Sequence, residues 1–458
     1  MIDCNIDNVL NNSKSIHFIG IGGAGMCPLA EIFHSRGYKI TGSDNNESDT
    51  LKRIRTLDIK VTLGHKAENV DGADMVVYTA ALMPDNPELC AAREKGIPIF
   101  ERSKLFGAYS RRFDNCVGIS GTHGKTTVTA MATQILVQAG LSPSALIGGR
   151  LPLTNSNGVV GRSQHFICEA CEYKNTFHEL SPNVSVILNV DCDHMEFFKT
   201  EDNLIASFRH FARMAKSCVI FNGDDEKTVK AVKAVSGKKL ITFGRSASND
   251  CYATNIELLS GAFASFDVWY LGKKLGRIKL GIPGEHNIYN ALAAICIALY
   301  CNADFRRCRQ SLEAFKGAGR RFEILGEYKG AVIADDYAHH PKELEVTLKT
   351  AKAMRYKRVW AVFQPFTFSR TKILLNDFAR ALSIADKVVL TKIMGSREKN
   401  IYGINTQDLA NEIEGSVWFD SFDEVANHIK DNVKEGDLVI TLGCGDVYKI
   451  AQKILGEK

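Results

Sequence analysis

The sequence predicts a mixed α/β protein of three domains, each built around a mainly parallel sheet. Apolar strand-like segments alternate with helix-like segments along the chain, a pattern that favours parallel strands joined by crossover helices. Two of these strands run directly into glycine-rich turns, and a chain of 458 residues is long enough for roughly two to four domains. We therefore expect domains at residues 1–113, 114–319 and 320–458, joined by short linkers.

The composition is ordinary for a globular protein, with 45% hydrophobic and 24% charged residues. The formal net charge of +5 is spread along the chain, which allows anionic small-molecule ligands and predicts no nucleic-acid partner. The first residues, MIDCNIDNVLNN, lack the features of a secretory signal, and the longest apolar run, ALAAICIALYC (291–301), is too short to span a bilayer. We expect a cytoplasmic protein without membrane insertion.

The 13 cysteines are odd in number and scattered along the chain. The close pair Cys168 and Cys171 has no second pair at the spacing of a zinc site. This pattern predicts reduced thiols in a cytosolic protein, with a structural metal as the alternative.

The first domain is predicted to begin with a strand, a glycine turn and a helix in SIHFIGIGGAGM (15–26). Further strands are expected at YKITGSD (38–44) and DMVVYTAA (74–81), and a helix at NPELCAAREKG (86–96). This order predicts a parallel sheet with its first turn facing a ligand.

The glycines of this turn form the pattern G-x-G-x-x-G at Gly20, Gly22 and Gly25. Glycine lets the backbone approach a diphosphate, and the following helix adds N–H groups and its dipole. Asp44, 24 residues after Gly20, is a candidate acceptor for ribose hydroxyls. The pattern predicts a Rossmann-like domain for a dinucleotide or a nucleotide sugar. The alternative is a glycine turn that serves only tight packing.

The second domain opens with NCVGISGTHGKTT, a strand that leads into the loop GTHGKTT (121–127). In a P-loop the backbone wraps the phosphates, a lysine contacts the terminal phosphates and a hydroxyl holds Mg²⁺. Lys125 and Thr126 fit these two roles, although Ile119 stands where the strict pattern has its first glycine. The loop therefore predicts a domain that binds ATP with Mg²⁺.

Two later strands of this domain end in polar residues. HFICEA delivers Glu169, and VILNVDCDH delivers Asp193 and His194. Because the carboxyl ends of parallel strands face the ligand crevice, these groups are expected near the nucleotide. A purely structural role for His194 is equally compatible with the sequence. The stretch FDVWYLGKKLGRIKLGIPG (266–284) has a more antiparallel pattern.

The third domain is predicted from RRFEILGEYKGAVIADDYAHHP (320–341) onward. Further parallel-type strands are expected in KRVWAVFQP, ADKVVLTKI and GDLVITLGCGD. This set favours a second Rossmann-like α/β domain at the C-terminus.

Two anion-binding loops on separate domains fit an enzyme that binds two phosphate-bearing ligands at once. Nearly the whole chain resembles the Mur ligase family, the ATP-dependent amide-forming enzymes of bacterial cell-wall precursor synthesis. The resemblance rests on an ordered set of motifs: HFIGIGGAGM, DNPELCAAREKGIPIFERSKLF, GTHGKTT, DHM, IPGEHNIYNALAA, RRFE, ADDYAHHPKEL, FSRTK, SREK and TLGCGD. Within the family, GIGGAGM, GTHGKTT and DDYAHHP point to the branch that adds L-alanine to UDP-N-acetylmuramate.

The resemblance implies a bacterial ligase that uses ATP and Mg²⁺ and acts as a monomer or a homodimer. The lactyl carboxylate of UDP-N-acetylmuramate would attack the γ-phosphorus of ATP, and the amine of L-alanine would then attack the acyl phosphate. The protein would have to position the anions and exclude water from the acyl phosphate.

The resemblance also implies roles for individual residues. Gly20, Gly22 and Gly25 would hold the UDP diphosphate, and Asp44 its ribose. The ATP loop would consist of Gly121, Thr122, His123, Gly124, Lys125, Thr126 and Thr127. Thr126 and Glu169 would hold one Mg²⁺, and His194 would serve a second.

Further residues are implied around the adenosine and the reacting groups. Asn287 and Asn290 would lie on the adenine side, with helix capping as their alternative, and Asp336 would contact the ATP ribose. Besides Lys125 and His194, the groups expected to act on the reacting atoms are Arg321 at the γ-phosphate and His340 and Arg370 at the acyl phosphate or amino acid. A plain surface-charge role is the alternative for these third-domain residues.

Two departures from the family pattern fall near the expected amino-acid pocket. Phe366 in FQPFTFSRTK stands at a position where the family has histidine, and Lys392 in TKIMGSREK stands where an acid is expected. Arg209 and Arg213 occupy the region in which several family members have a carbamoylated lysine, which the alanine-adding branch also lacks.

Three other functions remain open on the sequence alone. A related ligase could add another amino acid or a recycled peptide to UDP-N-acetylmuramate. An oxidoreductase could use the first loop for NAD, although this leaves the P-loop unexplained. A nucleotide-binding regulator could keep both loops without catalysis.

Overall fold

A computed structural model describes residues 5–23, 25–79, 82–396 and 398–456, without the side chain of Asp49. The chain forms three sheets, which contain five, ten and six strands. Parallel pairs dominate each of them, so the predicted mixed α/β architecture of three domains is confirmed.

The first sheet is parallel throughout, with the strand order β3-β2-β1-β4-β5. Its strands are β1 Ser15–Ile19, β2 Lys39–Asp44, β3 Lys60–Leu63, β4 Met75–Tyr78 and β5 Ile99–Glu101. The accompanying helices are α1 Ile6–Asn12, α2 Cys27–Ser35, α3 Asp49–Arg55, α4 Pro87–Glu94 and α5 Arg102–Ser110, with a 3-10 turn at Ala67–Val70. The order reverses between β1 and β4, which is the switch point where open parallel sheets bind ligands.

Two strands in this sheet are shorter than the sequence predicted. The strand predicted at 38–44 begins at Lys39. The strand predicted at 74–81 runs from Met75 to Tyr78, and Ala80 and Ala81 lie outside the described residues.

The second sheet has the order β15-β14-β13-β12-β11-β10-β6-β9-β7-β8. Its strands are β6 Asn115–Ser120, β7 Ser144–Leu151, β8 Ser156–Val159, β9 His165–Glu169, β10 Val184–Ile187, β11 Cys218–Asn222, β12 Lys239–Gly244, β13 Cys251–Leu258, β14 Phe263–Tyr270 and β15 Lys273–Pro283. Its helices are α6 Lys125–Gln138, α7 Met195–Phe198, α8 Glu201–Met214, α9 Glu226–Val232, α10 Asn287–Tyr300 and α11 Phe305–Ala314, with 3-10 turns at Tyr173–Glu179 and Ser260–Ala262. The central strand β6 lies between β10 and β9 and pairs with both in parallel.

The third sheet has the order β16-β17-β21-β18-β19-β20 and is parallel except for the pair β16–β17. Its strands are β16 Glu323–Tyr328, β17 Ala331–Asp336, β18 Val359–Phe363, β19 Lys387–Thr391, β20 Val417–Phe419 and β21 Leu438–Leu442. Its helices are α12 Pro341–Ala353, α13 Phe368–Ile373, α14 Leu375–Leu382, α15 Thr406–Asn411, α16 Phe422–Asn432 and α17 Tyr448–Leu455. Separate apolar cores cover its two faces, one around Phe363 and Phe378 and the other around Trp360 and Ile450.

Contacts divide the chain into two compact units whose boundary passes through β13, β14 and β15. The first contains Met1–Thr254, Val268–Gly276 and Tyr289–Ser311, and the second contains Asn255–Asp267, Arg277–Ile288 and Leu312–Lys458. The first unit thus holds the whole first sheet and most of the second.

An aromatic cluster joins the first two sheets within the first unit. The Phe166 ring of β9 lies 5.9 Å from Phe106, 5.2 Å from Tyr109 and 4.9 Å from Phe113, measured between ring centroids. Such rings bury large apolar areas, so α5 and its following turn pack against the second sheet as part of one core.

None of the described helices combines the length and the apolar character that a membrane-crossing helix needs. The 12 cysteines of the described part are all free, and most of them are buried. This agrees with the prediction of reduced thiols for that part of the chain.

Candidate functional site

The first glycine turn follows β1 and is fixed by the neighbouring strand β2. Gly20 has φ +80°, and the N–H groups of Gly20 and Ile21 donate to the Ser43 carbonyl at 2.8 and 3.0 Å. The Gly22 N–H donates to a carboxylate oxygen of Asp44 at 2.9 Å. A Cβ on either Gly20 or Gly22 would lie 2.9 Å from a neighbouring side chain, so both positions require glycine.

The Asp44 carboxylate therefore stabilises the turn by a hydrogen bond, besides being a candidate ligand contact. Its other oxygen accepts the Asn46 N–H at 3.3 Å. Within the described part of the chain no side chain caps the start of α2 at Met26, so the positive end of the helix dipole is available to an anion. The turn retains the features that favour a diphosphate.

Arg102, the first residue of α5, lies directly beside the third glycine of the turn. Its guanidinium nitrogen Nη1 would be 3.0 Å from a Cβ at Gly25. Burial lowers the pKa of Arg102, and the nearby Cys171 and Glu101 act in the opposite direction. An arginine always keeps its charge in proteins, so Arg102 supplies a fixed cation at the mouth of the turn.

The buried carboxylate of Glu88 stabilises strand β2 next to the turn. Glu88 is fully buried and accepts the Ser43 hydroxyl at 2.7 Å and the Asn69 amide at 2.5 Å. Its carboxylate also lies 3.5 Å from the rings of His17 and His65. Burial alone would raise the pKa of Glu88, but the hydrogen bonds from His17, Asn69 and Ser43 hold it below the usual value.

The second loop follows the central strand β6 and leads into α6. Gly121 and Gly124 have φ of +139° and +88°, and α6 begins at Lys125. Asn189, just after β10, clamps the loop: its amide oxygen accepts the His123 N–H at 2.8 Å, and its amide nitrogen donates to the His123 carbonyl at 3.0 Å. The loop is thus preformed at the carboxyl edge of the sheet.

The side chain of Lys125 is turned back onto a buried carboxylate. Its Nζ donates to both oxygens of Glu172, at 3.1 and 3.0 Å, and to the carbonyls of Gly121 and Thr122. Glu172 is only 3% exposed. Burial alone would lower the pKa of Lys125, but the charge and hydrogen bonds of Glu172, together with the charges of Cys171 and Glu169, raise it above its usual value. Lys125 is therefore charged and held within the loop.

The two oxygen ligands predicted for Mg²⁺ lie together. The Glu169 carboxylate and the Thr126 hydroxyl would lie 2.7 and 2.9 Å from a Cβ at Gly148. The Gly148 N–H donates to Glu169 Oε1 at 2.5 Å. Hard divalent cations prefer oxygen ligands and leave several positions to water and phosphate, so a hydroxyl and a carboxylate on the rim of the loop fit Mg²⁺.

His194 is placed by an unusual backbone conformation. It has φ +55° and precedes α7. Its ring lies 4.6 Å from the Tyr173 ring, and its nitrogens lie 3.7 Å from Asp193 and 3.6 Å from Glu196. Among the described residues no group of three His, Cys, Asp or Glu side chains forms a ready metal cluster. Fifteen other non-glycine residues among those described also have a positive φ, so this backbone conformation alone does not mark a functional site.

The two asparagines predicted on the adenine side differ in their surroundings. Asn290 is 9% exposed, and its side-chain oxygen would lie 2.6 Å from a Cβ at Gly124, so it borders the ATP loop. Asn287 is 5% exposed, and its amide donates to the Pro283 carbonyl at 2.7 Å. The Asn287 amide thus fixes the turn before α10 and is not an N-cap bond, in which a side-chain oxygen accepts a helix N–H. Asn290 borders the loop, as the ligand role predicts.

In the second unit, Arg320 and Arg321 have different tasks. Arg320 pairs with Asp335 at 2.8 Å and donates to the carbonyls of Gly443 and Gly445. The Arg321 guanidinium lies over the Tyr337 ring at 5.2 Å. Both guanidinium groups thus lie over the Tyr337 ring, at 5.0 Å for Arg320, and Arg320 also anchors the segment through its ion pair with Asp335.

Asp336, at the end of β17, is a buried acceptor. Its oxygens accept the N–H groups of Phe322 at 2.7 Å and Ala338 at 2.8 Å. Burial raises the pKa of Asp336 to about 6, although the charge of Arg321 and these N–H groups act against the rise. The Asp336 side chain is 6% exposed, and its bond with the Phe322 N–H anchors the RRFE segment. Asp336 remains the candidate for the ribose contact.

His340 and Arg370 lie at the starts of neighbouring helices. His340 is the N-cap of α12 and accepts the Lys342 N–H at its Nδ1 atom, at 3.4 Å. Arg370 lies on α13, and its charge opposes the burial that raises the pKa of Cys444 to about 12, so it is close to the loop after β21. Of the two departures, Phe366 is half-buried and Lys392 is exposed. Arg397 of the SREK motif lies outside the described residues.

Sequence reasoning missed three residues of these sites: Arg102, Glu172 and Asn189. Each follows a strand or a strand-end motif, as in IPIFER, ICEACE and VILN, so the rule that polar groups at strand ends face the ligand could have found them. What the sequence does not show is which of two nearby acids, Glu169 or Glu172, contacts the lysine.

A parallel sheet with a glycine turn at its switch point, and a second sheet with a P-loop at its central strand, define a nucleotide-binding α/β enzyme with two phosphate cradles. Comparisons with known proteins specify this class further. Three family models match in order: "Mur ligase family, catalytic domain" at residues 15–114, "Mur ligase middle domain" at 119–298, and "Mur ligase, glutamate ligase domain" at 320–445. The chain belongs to the Mur ligase family.

Similar proteins cover the chain from end to end. The UDP-N-acetylmuramate–L-alanine ligase of Caldanaerobacter subterraneus subsp. tengcongensis is 42% identical, over 98% of both chains. The enzyme of the same name from Alkaliphilus metalliredigens is 40% identical over the whole length of both. The crystal structure of the UDP-N-acetylmuramate–alanine ligase of Thermotoga maritima aligns with a TM-score of 0.82 and 29% identity, over 97% of this chain and 99% of that one.

Proposed function

We infer that the protein is an ATP-dependent carboxylate–amine ligase that joins L-alanine to UDP-N-acetylmuramate and so supplies the precursor of peptidoglycan. The observation that carries this inference is the pair of phosphate cradles, one after β1 and one after β6, on a chain about 40% identical throughout to alanine ligases. Two cradles meet the needs of a reaction between two phosphate-bearing substrates.

At the first cradle, the turn at Gly20, Gly22 and Gly25 would receive the UDP diphosphate. Arg102 supports this assignment, because a fixed guanidinium beside Gly25 can form paired hydrogen bonds with phosphate oxygens. Asp44 would accept a ribose hydroxyl with its Oδ1 atom, because its Oδ2 atom accepts the Gly22 N–H.

At the second cradle, the backbone from Gly121 to Thr127 would wrap the ATP phosphates. Lys125 would leave Glu172 and contact the terminal phosphates, where it neutralises charge as the lactyl carboxylate attacks the γ-phosphorus. Thr126 and Glu169 would hold Mg²⁺, which supplies charge neutralisation between the phosphates. Asn290 would border the adenosine, because it lies against Gly124.

The acyl phosphate then has to be protected and attacked. We assign His194, Arg321, His340 and Arg370 to the reacting groups, with Asp336 and Asn287 at the adenosine. His194 supports this role by its position beside the Asp193 and Glu196 carboxylates, and Arg321 by its charge near Asp336. The helix cap of His340 and the backbone hydrogen bond of Asp336 are compatible with these roles, because they hold the two side chains in place.

The amino-acid substrate is tested with a panel of L-alanine, glycine, L-serine and a recycled-type tripeptide. Each is added to the enzyme with ATP, Mg²⁺ and UDP-N-acetylmuramate, and phosphate release is measured. We expect L-alanine to give the highest kcat/KM. A tripeptide or another amino acid that clearly outruns L-alanine would instead assign the protein to a related ligase, and Phe366 and Lys392 are the positions where that choice would arise.

The nucleotide preference of the first cradle is tested separately by thermal shift. UDP-N-acetylmuramate is expected to raise the melting temperature, and NAD is expected to leave it unchanged. Stabilisation by NAD alone would favour an oxidoreductase, and binding of ATP with no substrate-stimulated turnover would favour a regulator.

A further inference from the structure

A cavity of about 300 Å³ lies at the amino ends of β2, β6 and β9. Its walls include Tyr38 just before β2, Phe113 two residues before β6, and Gln164 just before β9. The P-loop starts at the opposite, carboxyl end of β6, about 20 Å away for a strand of this length. The cavity is therefore separate from the ATP cradle, and it lies entirely within the first compact unit.

Three arginines from distant parts of the chain line this cavity: Arg36, Arg112 and Arg162. All three are exposed, and none of the residues that line the cavity is acidic. Within the described part of the chain, none of the three guanidinium groups forms an ion pair. Like charges that converge without a counter-charge repel each other, and an anion that binds among them removes this repulsion.

Arg36 and Arg112 donate hydrogen bonds to neutral acceptors. Arg36 donates to the Gly161 carbonyl at 3.3 Å and to the Ser144 hydroxyl at 3.5 Å. Arg112 donates to Asn11 at 2.8 Å and to the Tyr38 hydroxyl at 3.4 Å. Since each guanidinium has five N–H donors, both retain donors for a ligand while their positions are fixed by the protein.

Among the described residues, the neighbouring Arg111, unlike the three arginines of the cavity, forms an ion pair with a carboxylate. Its guanidinium forms a two-pronged pair with Asp7, with Nε at 3.1 Å and Nη2 at 2.9 Å from the same carboxylate oxygen. Arg111 and Arg112 are adjacent and both exposed. Only Arg111 is neutralised by the protein itself, so it provides a matched control for any anion effect.

The floor of the cavity contains a buried hydroxyl. Tyr109 is 2% exposed, and its hydroxyl lies near the Arg36 guanidinium and the Ser144 hydroxyl. Burial raises the pKa of Tyr109, whereas the charge of Arg36 and hydrogen bonds with Arg36 and Ser144 act against the rise. The buried hydroxyl and the Arg36 guanidinium therefore line the same part of the cavity.

We propose that this arginine pocket binds a phosphate-bearing small anion with at least two negative charges, at a site distinct from both glycine loops. Planar guanidinium groups bind phosphate oxygens in pairs, and three of them around one cavity match a diphosphate or an organic phosphate better than a monovalent ion. The volume is at the lower end for ligand pockets, which fits a compact anion. The proposal does not depend on the ligase activity.

Occupation of the pocket would link two parts of the first unit. Arg36 and Arg112 belong to the segment around the first sheet, whereas Arg162 precedes β9 of the second sheet. An anion held by all three bridges these segments, and it stabilises the folded state by RT ln(1 + L/Kd), where L is the free anion concentration.

The pocket is tested by isothermal titration calorimetry with pyrophosphate and with inorganic phosphate, in buffers of equal ionic strength without Mg²⁺. The double variant Arg36→Ala/Arg112→Ala is compared with wild type and with Arg111→Ala. We expect wild type and Arg111→Ala to bind pyrophosphate equally, and the double variant to bind it at least about tenfold more weakly. The comparison is repeated in a Lys125→Ala/Arg102→Ala background, which is expected to weaken pyrophosphate binding at both glycine loops and to keep this binding event.

The two probes distinguish the sources of the phosphate group. Tighter binding of pyrophosphate than of phosphate indicates a diphosphate ligand, and equal binding indicates a single phosphate group. If the double variant binds pyrophosphate as wild type does, or if wild type binds neither probe, the three arginines are a solvated surface and the proposal is wrong. Thermal melts confirm folding, and Arg162→Ala, which removes an exposed side chain, repeats the test if the double variant is unstable.

Discussion

Asp44 illustrates how one carboxylate serves both the fold and the ligand. It accepts the Gly22 N–H and stands where a ribose would lie. We expect Asp44→Ala to weaken UDP-N-acetylmuramate binding about tenfold or more, because a charge-assisted hydrogen bond is lost and the turn is loosened. ATP binding should be unchanged, and calorimetry measures both. Asp71→Ala, at a 61% exposed site in the same sheet region, is the control. Equal losses for both ligands would contradict the assignment.

Asp336 makes stability depend on pH. Its pKa is about 6 in the folded protein against a usual value of 3.8, so the folded state holds a proton that the unfolded state releases. This stabilisation is complete below about pH 4 and is lost as the pH rises through about 6, with a total of about 3 kcal/mol. Urea unfolding of wild type and Asp336→Asn at pH 5, 6 and 7 should show a steeper decline for wild type.

The control for this pH dependence is Asp202→Asn, since that carboxylate is 85% exposed. Asp202→Asn should decline with pH as wild type does. If Asp336→Asn shows the wild-type slope, another group is responsible.

At the level of elements, helix α5 depends on a single close approach. A Cβ at Gly107 would overlap the carbonyl oxygen of Glu179, and the other face of the helix carries Phe106 and Tyr109 into the aromatic cluster. We expect Gly107→Ala to lower the free energy of unfolding by about 1–3 kcal/mol, because helix and turn have to separate. Chemical denaturation measures this loss.

Lys104→Ala on the same helix is the matched control. Lys104 is 53% exposed and pairs with the Glu179 carboxylate, so the variant removes the charge contact and keeps the backbone contact. Its effect should stay below about 1 kcal/mol. A Gly107→Ala variant as stable as Lys104→Ala would show that the helix can shift without loss.

The elements themselves were largely predictable. Strand–turn–helix order gave β1 with its glycine turn and β6 with the P-loop, because glycine spacing and apolar runs are local properties. Strand ends were less certain: β2 lacks Tyr38 and β4 ends at Tyr78, since tertiary pairing sets where a ladder stops. The Arg102–Gly25 approach was not predicted, because it joins segments 77 residues apart and leaves no local pattern.

For the whole molecule, the two cradles imply separable binding. We expect Lys125→Ala to reduce ATP turnover at least about 100-fold, because the terminal phosphates lose their fixed cation, while UDP-N-acetylmuramate binds within about twofold of wild type. Steady-state phosphate release and calorimetry give the two values. Lys230→Ala, at a 57% exposed site, is the control. Loss of both functions in folded Lys125→Ala would contradict separate cradles.

The three parallel-rich domains were predicted from the sequence, but the hydrophobic core that the first two sheets share was not. The predicted boundary near residue 113 stays a prediction, and Phe113 itself stacks on Phe166 of the next sheet. Because such contacts are long-range, a reading of periodicity along the chain does not show which domains share a core.

The ion pair between Lys125 and Glu172 bears on how fast nucleotide is captured. Because Glu172 already compensates the charge of Lys125, the lysine adds little long-range attraction for a triphosphate. We expect the release of Lys125 from Glu172 to limit the association rate. Stopped-flow association rates should therefore vary only weakly with ionic strength in wild type. In Glu172→Gln, the uncompensated cation should speed capture at low salt and make the rate fall as salt is added.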